Sequence, residues 1–326
     1  MSVVALLVAA GLGAACGGGE AAKGVASTPG AAAGAALAQG EHRFVANGLE
    51  LVAHVAGTGP VMIAHPGGPG AEWSYLRMPE VERSFTVVYL EPLGTGASGR
   101  PASPAEYTID RYVADIEALR ESLGQERVYL LGHSHGGFVA QAYAIAHSDH
   151  LLGLVLYDTS PTTGPEWQKD IGHNLHWFER EPWFADAQRA LAEETSATTD
   201  QQMTAIFHRE GPLYFGHYTE RRAELEPMIR AMRFSVAPSR GGTDPGAPKE
   251  VGVAPAFDVR ADLPKIRART LIVVGRRDFV CSLEMARIMA AGIPDSTLVI
   301  LEKSGHMGHV EEPQAFADAV AGFAAK

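Results

Sequence analysis

The sequence is poor in cysteine, with only Cys16 and Cys281 among 326 residues. Two cysteines cannot form a network of disulfides, and neither stands in a C-x-x-C or Cys/His cluster of the kind that binds zinc. Basic residues are also in the minority, with 27 Lys and Arg against 38 Asp and Glu. No Lys/Arg cluster offsets this balance, which argues against a nucleic-acid-binding surface. We expect a core-stabilised protein that needs no metal or organic cofactor and acts on a small molecule or a short peptide.

Long apolar runs are also missing, apart from one near the N terminus. Residues 3–16, VVALLVAAGLGAAC, are too few for a membrane-spanning helix but have the length of a signal-peptide core. A Gly/Ala-rich segment with little bulk to bury follows and predicts a flexible linker. Residues 1–40 thus resemble a bacterial lipoprotein leader, with Cys16 as the lipidated residue and membrane tether of an exported protein. A misplaced start codon or a cytoplasmic tail are the alternatives.

From His42 onward, short strands alternate with helices, which is typical of a mostly parallel sheet with helices on both faces. Asn47 and Gly48 predict a two-residue hairpin turn. Asp110 is a candidate N-cap for the helix DRYVADIEALRESLG, and PQAFADAVAGFAAK is a closing helix. Six further buried strands are predicted at VMIAH, FTVVYLE, RVYLLG, LLGLVLYD, TLIVVG and STLVILE.

The alternation stops between about Thr162 and Phe257, where residues rich in Trp, His, Glu and Arg show no parallel-strand pattern. We interpret this stretch as a mainly helical cap inserted into the sheet domain. The chain then divides into a leader and linker (1–40), the first part of the core (41–161), the cap (162–256) and the second part of the core (257–326).

The stretch LGHSHGGF sets Ser134 between Gly132 and Gly136, directly after a predicted strand and before a predicted helix. A G-x-S-x-G motif in this context predicts a sharp turn that exposes a nucleophilic serine, because only small neighbours fit around such a turn. The alternative is an ordinary glycine-rich loop that enters a helix.

A serine nucleophile needs a base, and the base needs an orienting acid. Asp278 follows the strand TLIVVG, and His306 follows the next strand in a glycine-flanked loop. Because sites in parallel sheets form beyond the carboxyl ends of the strands, we expect both side chains near Ser134. Asp278 could instead cap the helix LEMARIMAAG. Glu302 or Glu311 could then replace it as the orienting acid. We expect His309, the other histidine of this loop, to be structural.

The tetrahedral intermediate of acyl transfer needs hydrogen-bond donors for its oxyanion. The amide of His135, which follows the serine, is the first candidate. The second is the amide of Gly68 in the loop PGGPG, since a glycine amide can approach an oxyanion without steric hindrance.

These motifs together, PGGPG, EPLGTGASG, GHSHGG, GRRDFV and SGHMGHVEEP, resemble the α/β-hydrolase fold superfamily. The resemblance is strongest to its proline iminopeptidase-like group and covers about residues 43–326. It implies a Ser-His-Asp triad of Ser134, His306 and Asp278, an acyl-enzyme and a cap over the site. Pro66, Glu91 and His135 depart from the residues that this group usually carries.

Two functions remain open from the residues. Iminopeptidases bind the free amino terminus of the substrate with cap carboxylates, and the resemblance makes Glu210 the best candidate, with Glu179 and Glu181 as others. The first hypothesis is therefore an aminopeptidase that releases an N-terminal residue from short peptides, and the resemblance implies that this residue is proline. The second is an esterase or lactonase for small apolar esters. The sequence does not indicate the oligomeric state.

Overall fold

The computed structural model describes residues 37–241 and 257–325. Eight strands in these residues form a single sheet: β1 (Gly40–Ala46), β2 (Leu49–Gly57), β3 (Val61–His65), β4 (Thr86–Glu91), β5 (Val128–His133), β6 (Leu151–Tyr157), β7 (Thr270–Gly275) and β8 (Ser296–Leu301). Their order is β1-β2-β4-β3-β5-β6-β7-β8. β2 pairs antiparallel with β1 and β4, and the other pairs are parallel.

The predicted hairpin turn is confirmed. Asn47 and Gly48 both have positive φ angles, 49° and 81°, and they join β1 to β2 with Ala46 opposite Leu49. Both residue types adopt this backbone region with little steric cost, which is why the pair favours a tight turn. The six other predicted strands are also present, with bounds shifted by at most one residue at each end.

Nine helices accompany the sheet in the described residues: α1 (Ile109–Ser122), α2 (His135–His147), α3 (Pro165–Asn174), α4 (Phe184–Glu193), α5 (Asp200–Glu210), α6 (Arg222–Ala231), α7 (Leu283–Gly292), α8 (Gly308–Glu311) and α9 (Pro313–Ala324). Two cores form on opposite faces of the sheet because side chains alternate along each strand. In β5, Val128 and Leu130 pack with α1, α2 and α7. Tyr129 and Leu131 pack on the other face with α9 and the helices α3 to α6. The predicted α/β-hydrolase architecture is confirmed.

The predicted cap of α1 is wrong by two residues. Thr108, not Asp110, is the N-cap, and its hydroxyl accepts the amide of Arg111 at 3.1 Å. Asp110 lies in the first turn instead, where a carboxylate still interacts favourably with the helix dipole.

The helices α3 to α6 all lie between β6 and β7. The described residues of this stretch contain no strand, although Phe234 forms an isolated bridge with Ala71 and Thr162 forms one with Asp258. The first bridge joins the inserted helices to the PGGPG loop. None of the helices in the two described ranges combines the length and the apolar character that a membrane crossing requires. Cys16 and the predicted leader lie outside the described residues.

Candidate active site

Ser134 occupies the turn between β5 and α2. Its φ of 54° and ψ of −122° lie in a region that residues with a side chain rarely adopt. The amide of Ser134 donates to Tyr157 O at 3.0 Å, and its carbonyl accepts from Gly137 N at 2.8 Å and from Thr159 Oγ1 at 2.8 Å. Three hydrogen bonds to neighbouring segments therefore hold the strained residue in place.

The two glycines of the motif are required by close backbone contacts. A Cβ on Gly132 would lie 2.3 Å from Gly136 O, and a Cβ on Gly136 would lie 2.3 Å from His65 O. Both distances are far below van der Waals contact, so a larger residue would push α2 away from β5 at Gly132 and away from β3 at Gly136. The sharp turn expected from G-x-S-x-G is present, and both glycines are needed because, as predicted, only small residues fit around it.

Asp278 and His306 are joined by a hydrogen bond of 2.7 Å between Oδ2 and Nδ1, and both side chains are buried. The other carboxylate oxygen, Oδ1, accepts the amides of Val280 at 2.9 Å and Cys281 at 3.0 Å. Because an ionised carboxylate only accepts, Nδ1 of His306 carries the proton and Nε2 has a free lone pair. Such an imidazole can act as a base.

The alternatives to this acid and base are in other surroundings. Ser282 caps α7 through the amide of Met285, so Asp278 does not. Glu302 is exposed and pairs with Arg276 at 2.7 Å. Both ring nitrogens of His309 are bonded, Nδ1 to the hydroxyl of Tyr157 at 2.9 Å and Nε2 to Tyr75 O at 2.8 Å. Burial lowers the pKa of His309 to about 4, so it is a neutral structural residue.

His133 connects the two loops that meet at Ser134, which the sequence analysis does not predict. Its Nε2 donates to His306 O at 2.9 Å, which leaves Nδ1 to accept from the Tyr75 hydroxyl at 2.7 Å. The Tyr75 oxygen in turn accepts the amide of Gly67 at 2.6 Å. Burial lowers the pKa of His133 well below its usual value, and the nearby His306 and His309 add to this effect. The neutral ring thus links the PGGPG loop to the His306 loop.

The amides of Gly68 and His135 remain free to bind a ligand. Within the described part of the chain, neither donates to a protein acceptor, whereas the amide of Gly67 is taken by Tyr75. His135 is the first residue of α2, where amides have no intrahelical acceptor and the helix dipole favours negative charge. Gly68 and His135 both line the cavity that contains Ser134. The two predicted donors are therefore unpaired at one cavity.

Ser134 and His306 line this cavity together. No hydrogen bond joins Ser134 Oγ to His306 Nε2, and neither atom has another partner in the described residues. The cavity volume is about 70 Å³, which is roughly the space that two water molecules occupy in the liquid. Most of its wall is apolar and includes Trp167, Met203, Phe207, Met232 and Phe234. Only a small group can be enclosed beside the serine.

Two carboxyl groups interrupt the apolar wall, Glu210 at the end of α5 and Glu194 just after α4. Glu210 is 2% exposed, its Oε2 has no hydrogen-bond partner among the described residues, and its Oε1 accepts from the Tyr214 hydroxyl at 3.5 Å. Burial and then the charge of Glu194 raise the pKa of Glu210 well above its usual value. Burial also raises the pKa of Glu194, and the two carboxyls are close enough to affect each other's protonation. The cavity of Ser134 thus contains two carboxyl groups that are protonated more readily than usual, and one oxygen of Glu210 has no partner among the described residues.

The sequence analysis names Glu210 but misses Glu194, which belongs to no motif. The other two candidates, Glu179 and Glu181, do not line the cavity. Glu179 is exposed and lies 3.6 Å from His176, and Glu181 accepts from the Thr219 hydroxyl at 2.5 Å. Neither faces Ser134, so the structure corrects their assignment as amine ligands.

Some of these side chains are also of types that bind metals. One group of ligand atoms within 4.8 Å of one another comes from His133, Asp158 and His306, and a second from Asp278, Cys281 and His306. Both nitrogens of His133, Nδ1 of His306 and both oxygens of Asp278 are already hydrogen-bonded. This donor set favours an imidazole-carboxylate pair over a metal centre.

Comparison with known proteins gives the same fold. Residues 60–313 match a family model described as alpha/beta hydrolase fold. A proline iminopeptidase of Saccharolobus solfataricus is 28% identical over 279 residues, covering 82% of this chain and 86% of that protein. A 2-hydroxymuconate semialdehyde hydrolase of Pseudomonas sp. is 28% identical over 290 residues, covering 87% and 93%.

The solved structure of an alpha/beta fold family hydrolase from Bacillus anthracis superposes with a TM-score of 0.69. It is 19% identical, and the match covers 87% of this chain and 98% of that one. At this identity the likeness concerns the fold alone. The relatives named above are enzymes that act on small molecules or peptides. From its sheet, its serine turn and the family match, the chain belongs to the alpha/beta hydrolase family and is a hydrolase.

Proposed function

We propose that the protein is a serine aminopeptidase of the proline iminopeptidase type, which removes an N-terminal residue from short peptides through an acyl-enzyme. The observation that carries the proposal is that two carboxyl groups, the buried Glu210 and the half-buried Glu194, line the cavity of Ser134. The proline iminopeptidase relative supports it. The alternative, an esterase or lactonase, is supported by the apolar wall of the same cavity.

In the proposed reaction, Ser134 Oγ attacks the carbonyl carbon of the first peptide bond and its proton passes to His306 Nε2. Asp278 holds the imidazole in the required tautomer and stabilises the imidazolium. The C–N bond then breaks as His306 returns the proton to the leaving amine. A water molecule then attacks the acyl carbon and gives a proton to His306. The bond between the acyl carbon and Ser134 Oγ breaks, Oγ takes the proton back from His306, and the amino acid is released.

The oxyanion that forms in each half-reaction is proposed to accept from the amides of Gly68 and His135. Their support is that both are unpaired at the cavity, whereas the amide of Gly67 is not. One such donor contributes about 10²- to 10³-fold to kcat in serine hydrolases. The hydrogen bond between Ser134 and His306 is expected to form when substrate is bound, since catalytic bonds are often loose without it.

The carboxyl pair is proposed to bind the protonated amino group of the substrate, which is a secondary ammonium in an N-terminal proline. An unpaired carboxyl oxygen in an apolar wall is unfavourable by itself. A cationic amine would supply the missing donors and the missing charge, whereas a neutral ester would supply neither. The carboxyl pair therefore favours a substrate with a free amino terminus, and the proline iminopeptidase relative makes N-terminal proline the first residue to test.

The test compares three substrates: a proline arylamide, its N-acetylated form and a short-chain nitrophenyl ester. We expect turnover of the free-amine arylamide and none of the acetylated form. E210Q should raise KM for the free-amine arylamide about 100-fold, because removing one partner of a buried ion pair costs about 3 kcal/mol. The same variant should leave ester hydrolysis within about threefold. Gln resembles the protonated Glu210, so the fold should be retained.

E181Q is the matched control, since Glu181 belongs to the same inserted stretch but bonds to Thr219 outside the cavity. We expect E181Q to change neither KM for the arylamide nor the rate of ester hydrolysis. Equal effects of E210Q on arylamide and ester, or turnover of the acetylated arylamide at the rate of the free one, would reject the aminopeptidase and favour the esterase or lactonase.

A further inference from the structure

Glu311 is a buried carboxylate, 8% exposed, that does not line the cavity. Its Oε2 accepts the amides of Gly305 at 2.6 Å and Gly216 at 3.2 Å, and its Oε1 accepts the amide of His217 at 3.3 Å. Gly305 directly precedes His306, whereas Gly216 and His217 belong to the inserted stretch between β6 and β7. One side chain thus holds together two segments that are about 90 residues apart in sequence.

The same two segments are also in direct backbone contact. His306 N donates to Tyr214 O at 2.8 Å. A Cβ on Gly216 would lie 2.9 Å from Gly305 N, and a Cβ on Gly305 would lie 2.6 Å from Gly216 N. Glycine is needed at both positions for the backbones to approach this closely. The carboxylate of Glu311 therefore accepts amides at a junction too tight for other side chains.

The inserted segment in this junction begins at Glu210, the residue proposed to bind the amino group of the substrate. Glu210 ends α5, and the turn Gly211–Tyr214 leads from it to the residues that Glu311 holds. The Tyr214 hydroxyl donates to Glu210 Oε1, and its ring lies 5.5 Å from the ring of His306. A shift of this segment relative to the His306 loop would change the distance between the bound amine and the reacting groups.

We propose that Glu311 is a positioning residue, which sets the distance between the Glu210 amine site and His306 by fixing residues 214–217 to the His306 loop. The proposal rests on the proposed aminopeptidase function. A carboxylate suits this role because all three partners are donors and both of its oxygens accept. An amide would turn its NH₂ group toward at least one N–H and lose that hydrogen bond.

The neighbouring Glu312 provides a matched control. Its Oε2 accepts from Lys303 N and Ser304 Oγ, both at 2.7 Å, so it also supports the His306 loop. In the described residues it has no hydrogen bond to the inserted stretch. A loss of support for the loop alone should therefore appear in E312Q as well as in E311Q.

The experiment measures kcat and KM for the proline arylamide and the nitrophenyl ester in E311Q, in E312Q and in each combined with E210Q. We expect E311Q to lower kcat/KM for the arylamide at least tenfold more than for the ester. E210Q raises KM for the arylamide by a factor that we call the E210Q penalty. This factor should shrink at least tenfold when E311Q is present, because the effects of residues that act through one another are not additive. With E312Q, the E210Q penalty should keep its full size.

Thermal unfolding confirms that the variants are folded, and E311D, which retains both acceptor oxygens, replaces E311Q if the latter does not fold. An E210Q penalty of the same size in the E311Q and E312Q backgrounds would overturn the positioning role alone. Absence of the penalty in the otherwise unchanged enzyme would instead overturn the aminopeptidase proposal. The two failures are therefore distinguishable.

Discussion

Acidification should weaken the binding of cationic amines to this protein while leaving neutral ligands unaffected. Burial raises the pKa of Glu194 above its usual 4.5, and burial together with the charge of Glu194 raises the pKa of Glu210 well above 4.5. The other groups that affect Glu210 are Tyr214, which donates a hydrogen bond, and Arg209. Because the charge of one carboxyl affects the protonation of the other, the pair titrates in two coupled steps. Its net charge falls to zero only when both hold protons.

The sign and size follow from linkage. Both pKa values are raised, so the fully protonated pair forms on acidification already above pH 4.5 rather than below it. Below the pKa at which the pair becomes fully protonated, the pair must release one proton for each cation that forms an ion pair with it. The dissociation constant should then rise tenfold for each pH unit, which equals about 1.4 kcal/mol.

The assay is competitive inhibition of nitrophenyl ester hydrolysis by pyrrolidine between pH 4.5 and 8, because a Ki avoids the kinetic terms in KM. Tetrahydrofuran, a neutral ring of the same size, is the control ligand. We expect the Ki of pyrrolidine to rise tenfold per pH unit at the acid end and that of tetrahydrofuran to stay flat. In E194Q a single carboxyl remains, so the site loses its charge as soon as Glu210 takes up one proton, and the rise should begin at a higher pH than in the unchanged protein. Parallel profiles for the two ligands, or an E194Q profile identical to that of the unchanged protein, would refute the assignment of the pair.

Two further predictions concern the proposed triad. S134A and H306A should each abolish turnover with the fold intact. The double variant should be scarcely slower than either single variant, because a nucleophile and its base act as a unit. If S134A released arylamine at a rate near that of the unchanged enzyme, the mechanism would be wrong. D278N should lower kcat by about 10⁴-fold without loss of substrate binding, since the amide no longer fixes the imidazole tautomer, and a small loss in steady-state kinetics would show that another group orients His306.

The parts of the site that sequence predicts well are those that depend on neighbours in the chain. The turn at Ser134 needs a strand, small flanking residues and a helix, and all three are visible within LGHSHGGF and its surroundings. Asp278 and His306 are far from Ser134 in sequence, but each follows a strand of a parallel sheet. Such strands end at the same edge, so a local pattern and one topological rule bring these residues together.

The parts that sequence does not predict depend on tertiary contacts without a periodic or motif signal. His133 adjoins the nucleophile in sequence and nothing around it indicates its partners, yet its ring joins Tyr75 to His306 O. Glu194 lies in a short turn among other acidic residues, and nothing nearby distinguishes it from the exposed Glu179. Its role depends on the packing of α4 against α5, which brings it to Glu210. The N-cap of α1 is a smaller case, since Thr108 and Asp110 are both capping types and only the amide geometry decides between them.

The surroundings of the Glu194–Glu210 pair favour a role in function over a role in stability. A buried carboxyl with an unpaired oxygen destabilises the folded chain, and replacement of such groups by apolar residues is often neutral or stabilising. Glu210 has no cation beside it in the cavity: Arg209, its neighbour in sequence, is bonded to Asp186 and Glu193 on the surface. The hydrogen bond from Tyr214 is long, and Glu194 adds negative charge instead of removing it. Within the described residues the arrangement therefore lacks the partner that would make it favourable, and we propose a cationic ligand next to Ser134 as that partner.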